Sequence, residues 1–193
     1  MDLAPDELLT HLDDLVLRMD REEAIGRDGH PDHPSGEVGA TCLYAVYDPV
    51  SGGCAMARAG HPPPVLAAPD GTVRFLELPA GPPLGLGGMP FEAAEFHVAE
   101  NSVLALYTDG LIESQVRDLD DACELLRSGL AEPGRPLEET CDRIPHDLLP
   151  QPQTDDVALL LTRTRTLGTS QVAPWELPAE PSVALIFIRG DVQ

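Results

Sequence analysis

The sequence predicts an α+β fold in which antiparallel strands are layered against helices. Short apolar runs separated by turn residues fill the middle of the chain, and segments with helical spacing lie before and after them. Strands joined by short turns pair antiparallel, whereas parallel strands need long crossovers. The order of elements therefore favours a layered α+β domain over a doubly wound parallel sheet. A chain of 193 residues is long enough to bury the core of one such domain.

The first predicted element is a helix that begins at Pro5, where the missing N–H costs nothing. Apolar residues then recur at helical spacing: Leu8, Leu9, Leu12, Leu15, Val16 and Met19. Acidic residues lie between them: Asp6, Asp13, Asp14, Asp20 and Glu23. We expect the apolar stripe to dock on a sheet and the acidic residues to face solvent.

Strands and further helices follow in a regular order. The runs of apolar and β-branched residues predict strands over 40–47, 53–59, 65–68, 73–78, 91–98 and 103–107. Helical spacing returns over 119–130 and 137–149, and a last strand is predicted over 157–161. Pro145 is expected to kink or split the second of these helices, because proline removes a backbone donor.

Two acidic clusters stand at strand ends. The apolar run 103–107 stops at Thr108, Asp109 and Gly110, and the later strand opens directly after Asp155 and Asp156. If the two strands are antiparallel neighbours, the carboxylates meet at one edge of a sheet. Carboxylates at such short distances repel one another, and a hard divalent cation with oxygen ligands relieves that repulsion. Turn chemistry also places Asp and Gly beside strands, so both interpretations stay open on pattern alone.

A second candidate metal site lies in the loop 26–39. His30 and His33 stand there with Asp28 and Asp32 among glycines and prolines. An isolated His-x-x-His in such a loop is weak support for a ligand set, and the pattern favours an exposed connection.

Charge and cysteine content exclude several classes of partner. Acidic residues outnumber basic ones 33 to 12, a formal charge of −21, so nucleic acid and anionic membranes would be repelled. The four cysteines form no C-x-x-C pair, which predicts buried small apolar residues in a reducing cytoplasm rather than disulfides or zinc. No apolar run reaches the length of a membrane span. The sequence predicts a cytoplasmic protein.

Three motifs in a fixed order carry a resemblance to a known family. They are Ala59-Gly-His-Pro-Pro-Pro64, Tyr107-Thr-Asp-Gly-Leu-Ile-Glu113 and Thr154-Asp-Asp-Val-Ala-Leu-Leu160. In this order they resemble the bacterial PPM-type (PP2C-like) serine/threonine phosphatases of the SpoIIE/RsbU branch, the sporulation and sigma-factor regulator phosphatases. The similarity extends over residues 5–165, and residues 166–193 read as a linker-like tail.

The resemblance implies a two-sheet β-sandwich with helices on each face. It also implies hydrolysis of phosphoserine or phosphothreonine by water activated between two Mn²⁺ or Mg²⁺ ions. Asp109 and Asp155 match metal ligands, Asp156 is a supporting carboxylate, and Gly110 allows close approach at the strand end. His61 is a candidate for the substrate side, although its chemistry alone favours a ring that hydrogen-bonds the local backbone.

One departure from the family pattern is large. The family's first strands carry Gly-Asp-Trp/Phe-Tyr/Phe and Gly-Asp-Val-x-Gly-His-Gly motifs, and residues 1–193 contain neither. Those motifs supply the aspartate that bridges the two ions, so the resemblance implies that N-terminal strands of the domain are missing. A truncated product, a degenerate relative and a fragment all stay open.

Two function classes follow. The first is a metal-dependent protein phosphatase of a sigma-factor partner-switching system, acting on a phosphorylated protein of the anti-sigma-factor-antagonist type. The second is a non-catalytic phosphatase-like module that sequesters a regulatory partner. A calcium-binding β-domain is disfavoured, because Asp155-Asp156 lacks the alternating oxygen ligands and glycine of a calcium loop. Homodimerisation stays open.

Overall fold

A computed structural model describes residues 3–26, 39–113, 117–149, 156–168 and 171, with 23–26 as helical backbone only. It contains three helices, seven strands and one short 3₁₀ turn in the order α1 Pro5–Gly26, β1 Cys42–Tyr47, β2 Gly53–Ala59, β3 Val65–Ala67, β4 Val73–Phe75, β5 Ala94–His97, β6 Val103–Tyr107, the 3₁₀ turn Asp109–Leu111, α2 Leu119–Leu130, α3 Leu137–Leu148 and β7 Leu159–Arg163 within those ranges. All strand pairs are antiparallel, as predicted.

The strands form two sheets. One has the order β1-β2-β5 and the other the order β4-β3-β6-β7. Alternation along β6 explains the layering: Val103, Ala105 and Tyr107 pack against α2 and α3, whereas Leu104 faces the other sheet. Helix α1 covers the far side of the first sheet through Leu9. The result is a helix, sheet, sheet, helix arrangement, which confirms the predicted α+β class.

Helix α1 docks through a face different from the predicted one. Leu9 is fully buried, but Leu15 and Met19 are 47% and 56% exposed, and Asp13 is only 8% exposed. Asp13 lies one turn after Leu9 on the docked face, whereas Leu15 and Met19 lie on its flank. The Asp13 carboxylate accepts the Gly85 N–H at 2.7 Å, which satisfies its buried charge. The expectation that Asp13 faces solvent is therefore wrong.

Other differences concern element boundaries. β7 begins at Leu159 rather than at residue 157, and α3 continues through Pro145, which lies in its last turn where few backbone bonds remain to be lost. β4 and β5 are shorter than predicted.

Only Cys54 is buried among the four cysteines, which are all free; the others are partly exposed.

Several predictions fall outside the described residues. These are the His30 and His33 loop, Asp155 and the tail beyond 171. Among the described residues, no helix combines the length and apolar character that a membrane crossing requires.

Candidate functional site

Asp109 lies at the surface in the turn that follows β6, and the buried residues Leu111 and Ile112 hold this turn in place. Thr108 is extended, and the chain then turns into the 3₁₀ helix Asp109–Leu111. Leu111 and Ile112 are buried in the core under α2 and α3, so the turn is held from its apolar side. Asp109 itself is exposed. Its carbonyl accepts the Ile112 and Glu113 N–H groups at 2.9 and 2.8 Å, which fixes the backbone under the carboxylate.

The Asp109 carboxylate is partly oriented by its own turn. The Gly110 N–H donates to Asp109 Oδ1 at 3.0 Å. Gly110 is buried, while Glu113 at the end of the turn is exposed, as expected for a residue facing solvent. The role of Gly110 in allowing close approach of a ligand stays a prediction.

Asp156 of the second acidic cluster lies at the same end of the sheet as Asp109, because β6 and β7 are antiparallel neighbours. Tyr107 pairs with Leu159, and the Thr108 N–H continues the ladder to the Ala158 carbonyl at 3.1 Å. Asp156, two residues earlier, is exposed at the same end of the sheet. The predicted strand adjacency is thus confirmed. Asp155 lies outside the described residues, so its pairing with Asp109 stays a prediction.

The loop that contains His61 is held by Arg58, a partly buried residue of β2, and by Tyr107, a buried residue of β6. The Arg58 guanidinium donates to the carbonyls of His61, Leu78 and Pro79 at 3.0, 3.3 and 3.3 Å. The Tyr107 hydroxyl donates to the Pro63 carbonyl at 3.0 Å. Burial raises the pKa of Tyr107 well above its usual range, so the phenol remains a donor at neutral pH.

His61 uses its ring as the sequence predicts. Its Nδ1 lies 2.9 Å from the Pro62 carbonyl. A carbonyl only accepts, so Nδ1 carries the proton and Nε2 is left as the acceptor of the neutral ring. Gly60, just before it, has φ +63° and lies against Pro83, where a Cβ would approach a ring carbon within 2.8 Å. Only glycine fits this turn without a shift of the loop.

The donor set fits a hard divalent cation without completing a site. Carboxylate oxygens are the ligands that Mg²⁺ and Mn²⁺ favour, and ligating carboxylates are usually held by a hydrogen bond, as Asp109 is. Asp109 and Asp156 are the described carboxylates at this sheet end. Within the described ranges, no three His, Cys, Asp or Glu side chains form a cluster able to hold a metal.

Sequence reasoning missed several residues that shape the site. The loop that contains His61 is held by Arg58 and Tyr107, and the ends of β6 and β7 are joined by Thr108. The loop that contains Gly85 is held to α1 by Asp13. Arg58 carries a recognisable signal, because it is a charged residue on an otherwise apolar strand that runs into a Gly-Pro loop. Thr108 carries none beyond its place before Asp109, since its partners are about 50 residues away in the sequence.

Comparisons with known proteins agree with this architecture. The family model of stage II sporulation protein E (SpoIIE) matches residues 1–165. The RsbU and RsbW domains of a Mycobacterium tuberculosis protein are similar at 26% identity and a TM-score of 0.58, over 83% of this chain and 48% of that one. The SpoIIE phosphatase domain from Bacillus subtilis matches at 14% identity and 0.53, over 84% and 76% of the two chains.

A third solved structure has the same fold. The SiaA PP2C domain of Pseudomonas aeruginosa is similar at 19% identity and a TM-score of 0.54, over 81% of this chain and 69% of that one. The chain thus spans about half of the first matched structure and a larger share of the other two. The family match covers most of the chain, and the two-sheet fold agrees with it. The chain belongs to the SpoIIE family of PP2C-type phosphatase domains.

Proposed function

We propose that this chain carries the later part of a metal-dependent phosphoprotein phosphatase site, acting on phosphoserine or phosphothreonine. The observation that supports it most is the antiparallel pairing of β6 with β7, which brings the Asp109 turn beside the segment containing Asp156. Family membership supplies the reaction class.

Each residue then has a defined task. Asp109 and Asp155 would hold the metal, and Asp156 would support them with a second negative charge. When bound, Mn²⁺ or Mg²⁺ would neutralise phosphate charge and lower the pKa of a water shared between two ions. The Gly110 N–H orients the Asp109 carboxylate. The His61 ring, fixed with Nε2 as the acceptor, would face the substrate side.

The missing bridging aspartate limits what residues 1–193 do alone. Neither early family motif occurs in this sequence. Two ions need a shared ligand to stay roughly 3.5 to 4 Å apart. We expect weak metal binding and little hydrolysis by this chain by itself.

A second candidate function follows from the same gap. A chain that keeps the fold but lacks the bridging ligand would act as a binding module that sequesters a regulatory partner. The formal charge of −21 suits a partner with a basic face.

We further propose a place in sigma-factor partner switching. One matched structure contains both RsbU and RsbW domains. The partner would be a phosphorylated protein of the anti-sigma-factor-antagonist type. The proposed domain extends over 1–165 with a tail from 166, and the unpaired cysteines suit the reducing cytoplasm that we propose as its location.

Activity measurements test the proposal. Purified residues 1–193 should hydrolyse p-nitrophenyl phosphate or a phosphoserine peptide with Mn²⁺ at little above background. A longer chain that adds the two early motifs upstream should be active. Asp109→Asn should abolish that activity, because it removes a charged ligand, whereas Asp142→Asn on the exposed side of α3 should not.

Two outcomes would count against this account. Robust Mn²⁺-dependent turnover by residues 1–193 that Asp109→Asn abolishes would show that residues 1–193 already supply the ligand that we take to be missing. An inactive longer chain that still binds a phosphoprotein would favour the binding module.

A further inference from the structure

Thr108 joins the two acidic segments through its side chain. Its Oγ1 accepts the Ala158 N–H at 2.9 Å and donates to the Asp156 carbonyl at 3.3 Å. Its backbone N–H meets the Ala158 carbonyl at 3.1 Å. One residue therefore fastens the chain just before β7 to the residue just before Asp109.

The Thr108 hydroxyl accepts the Ala158 N–H, which a backbone carbonyl would accept in a regular strand pair. After Thr108 the chain enters the 3₁₀ turn, and the Thr108 carbonyl, which faces Ala158 in the strand register, accepts the Leu111 N–H at 3.1 Å instead of the Ala158 N–H. The strand ladder thus ends, yet Ala158 still has an N–H to satisfy. The Thr108 side chain thus adds two hydrogen bonds to the backbone bond that already holds Ala158 beside Thr108.

Thr164 performs the comparable task at the opposite end of the same strand pair. Its Oγ1 donates to the Ala99 carbonyl at 2.8 Å and to the Ser102 carbonyl at 3.2 Å. Thr164 is only 6% exposed and no predicted ligand lies beside it in the chain. It shows what a threonine that only stabilises the fold does at a ladder end.

We propose that Thr108 is a positioning residue that sets the separation between Asp109 and the acidic segment before β7. The inference rests on the proposed metal site for its functional consequence, but not for its geometry. Loss of the hydroxyl lets residues 156–158 move away from β6. The two ligand-bearing segments then no longer hold a fixed separation, and the metal is bound more weakly.

Amide hydrogen exchange tests the geometric half without any metal. Thr108→Val keeps the side-chain shape and removes the hydroxyl, and Thr108→Ser restores the hydroxyl. We expect exchange at Ala158 to be about five-fold faster in Thr108→Val, in proportion to one lost hydrogen bond, and close to wild type in Thr108→Ser. Thr164→Val, the matched control, should leave Ala158 unchanged because strand ends exchange by local opening.

Mn²⁺ titration of the same four proteins, followed by the electron paramagnetic resonance signal of free Mn²⁺, tests the functional half. Thr108→Val should bind about ten-fold more weakly, a typical effect of losing a group that orients ligands, and Thr108→Ser and Thr164→Val should bind as wild type does. Unchanged exchange at Ala158 in Thr108→Val would overturn the positioning role whatever the metal does. Faster exchange with unchanged Mn²⁺ affinity would overturn its link to the site. A wild-type chain that binds no Mn²⁺ would instead refute the proposed metal site, and with it that link.

Discussion

The two ends of the β6–β7 pair are built for different purposes. At the far end, Ser102 and Thr164 are 1% and 6% exposed, and backbone bonds join them to each other and to the preceding turn. At the near end, Thr108 ties down the strands while Asp109 and Asp156 are exposed. Both ends use a threonine hydroxyl to complete the ladder. One end is closed, and the other presents charge to solvent.

This difference between the two ends indicates that the closed end contributes to stability and the open end to ligand binding. Buried hydrogen bonds at the closed end protect polar groups that would be costly to leave unpaired. The open end instead presents Asp109 and Asp156 to solvent, and this is where the proposed metal site lies. Variants at the closed end should therefore change unfolding, and variants at the open end should change ligand binding.

The largest expected effect on stability is at Thr164. Thr164→Val removes the hydroxyl that serves the Ala99 and Ser102 carbonyls inside the fold. We expect a loss of about 2 kcal/mol in the free energy of unfolding, because two side-chain hydrogen bonds are lost, one of them buried and one part-buried. Chemical denaturation measures it. Thr108→Val should cost clearly less, and an equal cost at both positions would erase the difference between the two ends.

Tyr107 is the last residue of β6 at the open end, and its contribution to the free energy of unfolding depends on pH. Burial raises the folded-state pKa of Tyr107, while an unfolded tyrosine ionises near pH 10. Its stabilisation is complete below about pH 10 and decreases as pH rises from there towards the folded pKa, because the unfolded chain then loses the proton first. Tyr107→Phe should be about 1 kcal/mol less stable at pH 7, through the lost bond to Pro63.

Unfolding measured at alkaline pH gives a second test of the role of Tyr107. Between about pH 10 and pH 11, wild type should lose roughly 1 kcal/mol more than Tyr107→Phe does. The sequence contains no lysine, so no side-chain amine titrates in that range. Denaturation curves at pH 8, 10 and 11 give the comparison. Parallel losses in the two proteins would mean that Tyr107 ionises as easily in the fold as outside it.

The smallest effect is expected at Ser102. Its hydroxyl is buried and has no hydrogen-bond partner among the described residues. Ser102→Ala should leave stability unchanged or raise it by up to about 1 kcal/mol, because an unsatisfied buried hydroxyl is removed. Thermal unfolding measures the change. A clear loss of stability would show that the hydroxyl has a partner, such as a buried water.

The sequence predicted the architecture better than the site. Apolar alternation and turn residues located the strands of the described residues, and the mirrored positions of the two acidic clusters raised the pairing of β6 with β7 as a condition that the structure meets. Helix α1 was harder, because a buried Asp13 looks like any acidic surface residue until the Gly85 N–H that satisfies it is known. The roles of Thr108 and Arg58 depend on carbonyls of distant or loop residues. Such contacts leave no periodic trace in a sequence.

We propose that Asp109 and Asp155 together hold a divalent metal. Mn²⁺ titration calorimetry of residues 1–193 is the measurement that decides it, with Asp109→Asn/Asp155→Asn as the variant and Asp142→Asn as a control that removes one exposed carboxylate from α3. We predict weak Mn²⁺ binding by wild type and by Asp142→Asn, and no detectable binding by the double variant. Absence of Mn²⁺ heat in wild type, or unchanged heat in the double variant, would contradict the account.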